Sequence, residues 1–330
     1  MITVVKKFVR SFILLSLVVL FSGSRWGFFA HERINRLAVF ILPPEMIVFY
    51  KRNIEYLVEA SVNPDKRRMA IPDEAPRHYI DIDHYGDSAF LTMPVYWNDA
   101  IEKFSEDTLK AYGIVPWHLN AMYYRLRDAF MVKDPDAILK ISAELGHYVA
   151  DANVPLHTTE NYNGQLTGQY GIHGFWESRL PELFFERYDF LVGRAEYVPN
   201  VQRRAWSAVQ KAHAEVDSVL LWEKKLSLKF GDKKYSFEER GKQLMRVYSR
   251  EFSAAYHKIL LGMVERQMRA SIKMAGDIWY TAWVDAGQPV LKELIDYKPT
   301  EEELIRRREE LKAWKEQRLK VRGHEEDPAK

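Results

Sequence analysis

Apolar residues in this chain recur almost throughout at helical spacing, and that periodicity is the feature that most restricts its fold. Ile34, Leu37, Ala38, Ile41 and Leu42 fall at i, i+3, i+4, i+7 and i+8, one face of a helix that Pro43-Pro44 ends. Comparable patterns recur at about 45–60, 95–110, 117–131, 135–151, 174–187, 201–226 and 237–285, and no run alternates with period two for long enough to build a sheet. Proline and glycine sit between these segments, at Asn63-Pro64-Asp65, Ile71-Pro72-Asp73, Val154-Pro155 and the polar stretch from Glu160 to Gly171. The reading is all-α, a multi-helix single domain, with 47% apolar residues in 330 supplying ample core.

The first 25 residues stand apart from that domain. Lys6, Lys7 and Arg10 precede an apolar run from Phe12 to Phe21, and small residues follow at Ser22-Gly23-Ser24. That is the layout of a secretory signal peptide, and a run of ten residues, apolar but for Ser16, falls short of the ~18 to 20 that span a bilayer. The expectation is export, to a periplasmic or extracellular location. Without the leader, 44 basic and 46 acidic residues remain, so the formal +2 of the whole chain becomes −2. Binding that rests on neutralising many phosphates calls for an excess of Lys and Arg, which the exported chain lacks. Residues 26–299 are read as the helical domain and the charge-rich 300–330 as a solvated terminal helix and tail.

There is no cysteine, so a transition metal would have to be held by histidine and carboxylate. His147 and Asp151 are four apart near the end of a helical segment, so both side chains project from one face. Pro155 ends that segment and His157 follows. Sixteen residues later His173 and Glu177 form a second i, i+4 pair. One such pair is ordinarily a surface ion pair; two pairs joined by a third histidine are a metal-site pattern of the kind zinc accepts.

The string from Gly146 to His157, followed by Asn-Gly-Gln and then Gly-Ile-His-x-x-x-Glu, resembles the zinc-dependent phospholipase C and single-strand-specific zinc nuclease superfamily, over most of the chain from Trp26 to about Tyr297. The resemblance implies an all-α phosphoesterase with three zinc ions. It places His147 and Asp151 at a two-metal centre, with Asp151 bridging, and His157, His173 and Glu177 at a third zinc. It adds Asp65 in Asn-Pro-Asp and His78 in Arg-His-Tyr-Ile-Asp. It also adds Trp26 and His31, since members begin at a Trp whose free amine and carbonyl bind zinc. A cut after Ser24 would leave Arg25 ahead of Trp26, so the amine ligand requires Arg25 to be removed.

Two zincs bridged by a carboxylate would bring the ionisation of a shared water close to neutral pH. The resemblance implies that Asp65 orients this water and that Arg68 stabilises charge on the phosphate. The resemblance also implies Tyr79 and Asp81, beside His78, as substrate contacts. Glu177 rather than Asp at the last ligand position is similar to the phospholipase branch, and the near-neutral charge agrees with it. The expected substrate is therefore a phospholipid, with transient contact at a membrane surface and no obligate protein partner. Nuclease or nucleotidase activity on the same zinc cluster is the alternative, and an exported zinc-binding scaffold without catalysis is a further one. His84, His118, His213, His257 and His324 are read as ordinary histidines, and Trp279 and Trp283 as core.

Overall fold

A computed structural model describes residues 28–240 and 243–316, apart from the side chains of residues 240 and 243. The leader, Trp26 and the end of the charged tail lie outside the described residues. The chain is all-α. Its principal helices are α1 (Phe29–Val39), α2 (Pro44–Arg52), α3 (Ile54–Ala60), α4 (Asn63–Arg68), α5 (Val115–Met131), α6 (Pro135–Ala152), α7 (Val201–His213), α8 (Val216–Phe230), α9 (Arg250–Ile259), α10 (Met263–Asp285) and α11 (Glu301–Glu316).

Helix α6 is the axis of the molecule. Asp134 caps it by accepting from the Ala137 amide, Pro135 fits the first turn where no amide hydrogen is needed, and every residue from Ser142 to Ala152 is buried. Helices α1, α3, α5 and α10 pack around it. On one side lies a large apolar cluster centred on Trp279, whose ring stacks on Tyr50 at 5.2 Å. The Tyr50 hydroxyl is 2.9 Å from Ser142 Oγ, so its polar end is also satisfied. A second cluster, around Phe175, Phe252 and Tyr256, lies toward the end of α6, where Ala150 and Val154 join it. Each fully buried large apolar side chain contributes about 1.5–3 kcal/mol, so these two clusters are what hold the ends of α1 and α6 against one another.

The periodic segments are more finely divided than their sequence suggests. The segment at 45–60 breaks at Asn53, that at 95–110 at Ser105, whose φ is 68°, and that at 201–226 between His213 and Val216. The reading of 237–285 as helix, and of the chain as lacking a sheet, is corrected at one place. Tyr235–Arg240 and Gln243–Tyr248 pair as an antiparallel hairpin, and helix begins only at Arg250 and is interrupted at Gly262. Tyr235, Phe237, Val247 and Tyr248 suit strands, and Tyr248 stacks face to face on Phe175 at 3.8 Å, which anchors the hairpin to the second cluster. The terminal segment is helical as expected, but α11 is docked. Arg306 and Arg307 pair with Asp136, Lys140 pairs with Glu310, and Trp314 lies over the Arg67 guanidinium.

Candidate metal centre

Three carboxylates and five histidines converge at the junction of the two apolar clusters. His31 comes from α1, Asp65 from α4, His147 and Asp151 from α6, and His157 from the turn that Pro155 starts. His78 ends the short 3-10 turn Ala75–His78. His173 and Glu177 lie in the segment that passes from a helical turn into the π-helical turn Phe175–Arg179, a wide turn found most often at functional sites.

Within these eight residues four interlocking triads bring ligand atoms together: His78, His147 and Asp151; His31, Asp65 and His147; His157, His173 and Glu177; and His31, Asp151 and Glu177. The first and third are the groups expected from the sequence. The second and fourth join them, because His31 lies between Asp151 and Glu177. His78 Nδ1 is 2.9 Å from Asp151 Oδ2 and 3.1 Å from His147 Nε2. His31 Nε2 is 3.0 Å from Glu177 Oε1 and 3.6 Å from Asp151 Oδ1, and its ring stacks on His147 at 4.0 Å. His173 Nε2 is 2.8 Å and His157 Nε2 3.4 Å from Glu177 Oε2. Asp65 Oδ1 stands 3.8 Å from His147 Nε2 and 3.9 Å from His78 Nδ1.

Zinc fits this donor set. A tetrahedron with bonds of ~2.0–2.1 Å has edges of about 3.4 Å, and the separations above bracket that value. The histidines are also anchored in the manner of ligands. His157 Nδ1 is 2.6 Å from the His78 carbonyl and His173 Nδ1 3.2 Å from the Tyr162 carbonyl, which leaves each Nε2 turned to the cluster. Asp151 Oδ1 is buried and accepts no hydrogen bond among the described residues, an arrangement that is costly without a cation.

The charges are tightly interlocked. Burial pushes the Asp151 and Glu177 carboxyls up, but the surrounding imidazoles outweigh it and hold both well below the usual carboxylate range. Burial pushes His31 down, and its bond to Glu177 with the charges of Asp151, Glu177 and Asp65 overrides this, raising it to about 9. His147 is lowered, by burial foremost and also by the neighbouring His31.

The remaining expected residues lie around this core. Arg68 is buried three residues from Asp65 on α4, and its Nε makes no hydrogen bond among the described residues. Tyr79 packs against the segment at Gly113, with its hydroxyl reaching the Ala111 carbonyl, and Asp81 is buried on the same stretch. Neither joins the ligand triads. Trp279 and Trp283 are core, as expected. Of the histidines set aside, His118 is buried, edge-on to Tyr148 at 4.5 Å. The loop from Glu160 to Gly171 closes on itself. Asn163 Oδ1 accepts from the Gly171 and His173 amides, and the Thr159 hydroxyl and Glu160 amide donate to Asp83.

One further carboxylate lies against the cluster. Glu74 is fully buried beside His78, its Oε1 3.7 Å from His78 Nε2, and bonded by Arg67, Arg77 and Tyr148. Its signal in the sequence is spacing, since Glu74 and His78 are a third carboxylate–histidine pair at i, i+4.

A buried histidine–carboxylate cluster without thiolate in an all-α scaffold defines the class of a candidate metal-binding protein. Residues 30–239 match the family model described as zinc dependent phospholipase C, and the chain belongs to that family. The match spans all eight cluster residues and Glu74; Trp26 precedes it. No curated protein matches the chain.

Proposed function

We propose that this chain hydrolyses phosphodiester bonds of phospholipids, in the manner of a phospholipase C, with three zinc ions held by the eight clustered residues together with Trp26 as the mature N-terminus. The observation that carries the reading is the continuity of the four ligand triads, in which Asp151 and Glu177 are each shared between two groups. His147, His78, Asp65, His31 and the bridging Asp151 would hold a pair of ions, and His157, His173 and Glu177 a third. Bound zinc supplies Lewis acidity toward the phosphoryl oxygens and brings water to near-neutral ionisation.

The chain's own residues divide the remaining work. Asp65 and Glu177 have the most exposed side chains of the eight, at 13% and 9%, and Asp65 would accept a proton from a water and orient it toward phosphorus. Arg68, on the same helix, offers a guanidinium to the phosphate oxygens as negative charge accumulates there. His157 and His173, tied to backbone carbonyls, hold their rings fixed through the reaction.

Export with removal of residues 1–25 forms part of the same proposal, with Trp26 as the new N-terminus. Sequencing the N-terminus of the exported protein tests it, and a chain starting at Arg25 removes Trp26 from the ligand set. The substrate is tested by turnover of phosphatidylcholine and of a single-stranded oligonucleotide by the zinc-loaded protein, side by side with Asp151→Asn. Cleavage of the lipid alone, lost in the variant, is expected. Faster cleavage of the oligonucleotide would replace the lipid with nucleic acid, and turnover of neither would leave a zinc-binding scaffold.

A further inference from the structure

Among the five clustered histidines, His78 has a distinctive outer contact. His157 and His173 direct their second ring nitrogen to backbone carbonyls, and His31 and His147 Nδ1 are buried without a hydrogen bond among the described residues. His78 turns Nδ1 to Asp151 and His147 and turns Nε2 toward the carboxylate of Glu74, at 3.7 Å. An imidazole that offers Nδ1 as a lone pair carries its proton on Nε2, and a carboxylate facing that proton favours this tautomer and this ring orientation.

Glu74 is itself held with unusual completeness. Arg67 Nε donates to Oε2 at 2.9 Å and its Nη2 to Oε1 at 3.1 Å, Arg77 Nη1 donates to Oε2 at 2.8 Å, and the Tyr148 hydroxyl donates to Oε1. Arg67 is clamped from its other edge by Glu144, at 2.9 and 3.2 Å. Two arginines thus face two glutamates, and the network is neutral without drawing on the charges of the metal cluster. Four donors fix the Glu74 carboxylate so that only its orientation toward His78 remains to be used.

We infer that Glu74 is a positioning residue of the metal centre, holding His78 with Nδ1 directed into the ligand cluster, while Arg67, Arg77 and Tyr148 hold Glu74. The inference rests on His78 being a zinc ligand, as proposed above. It concerns affinity for the ion and needs no contact between Glu74 and substrate.

The experiment uses the full-length chain stripped of metal, with zinc alone as the probe, titrated in competition with a chromophoric chelator. Glu74→Gln keeps the shape of the side chain and removes its charge. Its zinc affinity is expected to fall about 10–100-fold, the usual cost of losing an outer partner of a ligating histidine. Glu144→Gln breaks the same arginine clamp from the far side without facing His78. It is expected to lose comparable stability in urea unfolding of the metal-free chain while keeping wild-type affinity.

Unchanged affinity in Glu74→Gln, or an equal loss in Glu144→Gln, overturns the positioning role and leaves Glu74 as part of a buried ion-pair network. Should Glu74→Gln not fold, Glu74→Asp keeps the charge opposite Arg67 and draws the carboxylate back by one methylene. It is then expected to lose affinity, and wild-type binding in it overturns the inference equally. His78→Ala separates the two levels of the argument. Undiminished zinc binding there refutes His78 as a ligand, whereas loss there with none in the Glu74 variants refutes only Glu74.

Discussion

Gly146 lies where α6 crosses α1, one residue before His147, and its replacement by alanine tests how the metal centre is held together. In a free helix Gly→Ala would stabilise by about 1 kcal/mol. Here an added Cβ would fall 1.8 Å from Asn35 Oδ1 and 2.8 Å from its Cγ, well inside van der Waals contact. Asn35 is fully buried, and its Nδ2 donates to the Ala143 carbonyl at 2.9 Å, one turn from the intruding methyl. It has to move, at an overpacking cost of ~1–3 kcal/mol, and a broken buried hydrogen bond adds ~1–3 kcal/mol. After the helix-propensity gain the expected net loss is about 1–5 kcal/mol.

Urea unfolding of metal-free Gly146→Ala measures that loss. Because the penalty arises at Asn35, Asn35→Ala/Gly146→Ala should be more stable than the sum of the single changes predicts, by ~1 kcal/mol or more. A functional consequence accompanies it. The His31 ring on α1 stacks on His147 of α6 at 4.0 Å, so pushing the helices apart would separate two proposed zinc ligands and is expected to weaken metal binding. A Gly146→Ala protein as stable as wild type, or strict additivity in the double variant, would refute the steric argument.

Three further outcomes follow from the same geometry. Asp151→Asn is expected to lower zinc content measured by elemental analysis and to reduce turnover by more than the roughly 10–100-fold typical of an outer partner, since Asp151 belongs to two triads. In the metal-free chain, protonated His31 stabilises the fold fully below about pH 6.5, and this is lost as pH rises through about 9, a difference of about 3 kcal/mol. Zinc needs neutral His31, so apparent affinity should rise up to about tenfold per pH unit between pH 7 and 9, and a flat profile rejects His31 as a ligand. A chain ending at residue 299 should still fold and bind zinc, with stability lowered by roughly 1–3 kcal/mol through loss of the Arg306 and Arg307 contacts to Asp136; failure to fold would make α11 part of the domain.

Part of the proposed ligand set is legible in the sequence because its spacing is local, whereas His31, Asp65 and His78 enter only through the family resemblance. His147 with Asp151 and His173 with Glu177 are pairs on single turns, and imidazole and carboxylate at that spacing have few other uses in combination. What spacing cannot give is the set of contacts that weld the pairs into one centre. His31 meets Glu177 across 146 positions of sequence, a juxtaposition set by the packing of α1 on the π-helical turn. The hairpin was hidden for a different reason. Each strand has six residues, and Phe237 and Leu244 are each 66% exposed, so the polarity of the side chain no longer reports which way it points. Docking of α11 was equally illegible, because it is held by ion pairs and one Trp–Arg contact and has no apolar stripe.

The distribution of buried charge explains why two networks lie side by side at the junction. Arg67 and Arg77 balance Glu74 and Glu144, so the outer network is complete in the protein alone. The inner cluster brings three carboxylates, Asp65, Asp151 and Glu177, against imidazoles that carry charge only when protonated. In the metal-free chain His31 supplies one such charge and His78 is also raised, burial opposing it and Asp151 and Glu74 outweighing that. His31 Nε2 and His78 Nδ1 are the nitrogens that face the cluster carboxylates, so a proton there competes with zinc. The inner cluster is therefore balanced either by protons or by metal, and the exchange of one for the other makes zinc affinity pH-dependent. Glu74 enters that exchange only through His78, whose protonated form it favours, while Arg67, Arg77 and Tyr148 keep its carboxylate facing that ring.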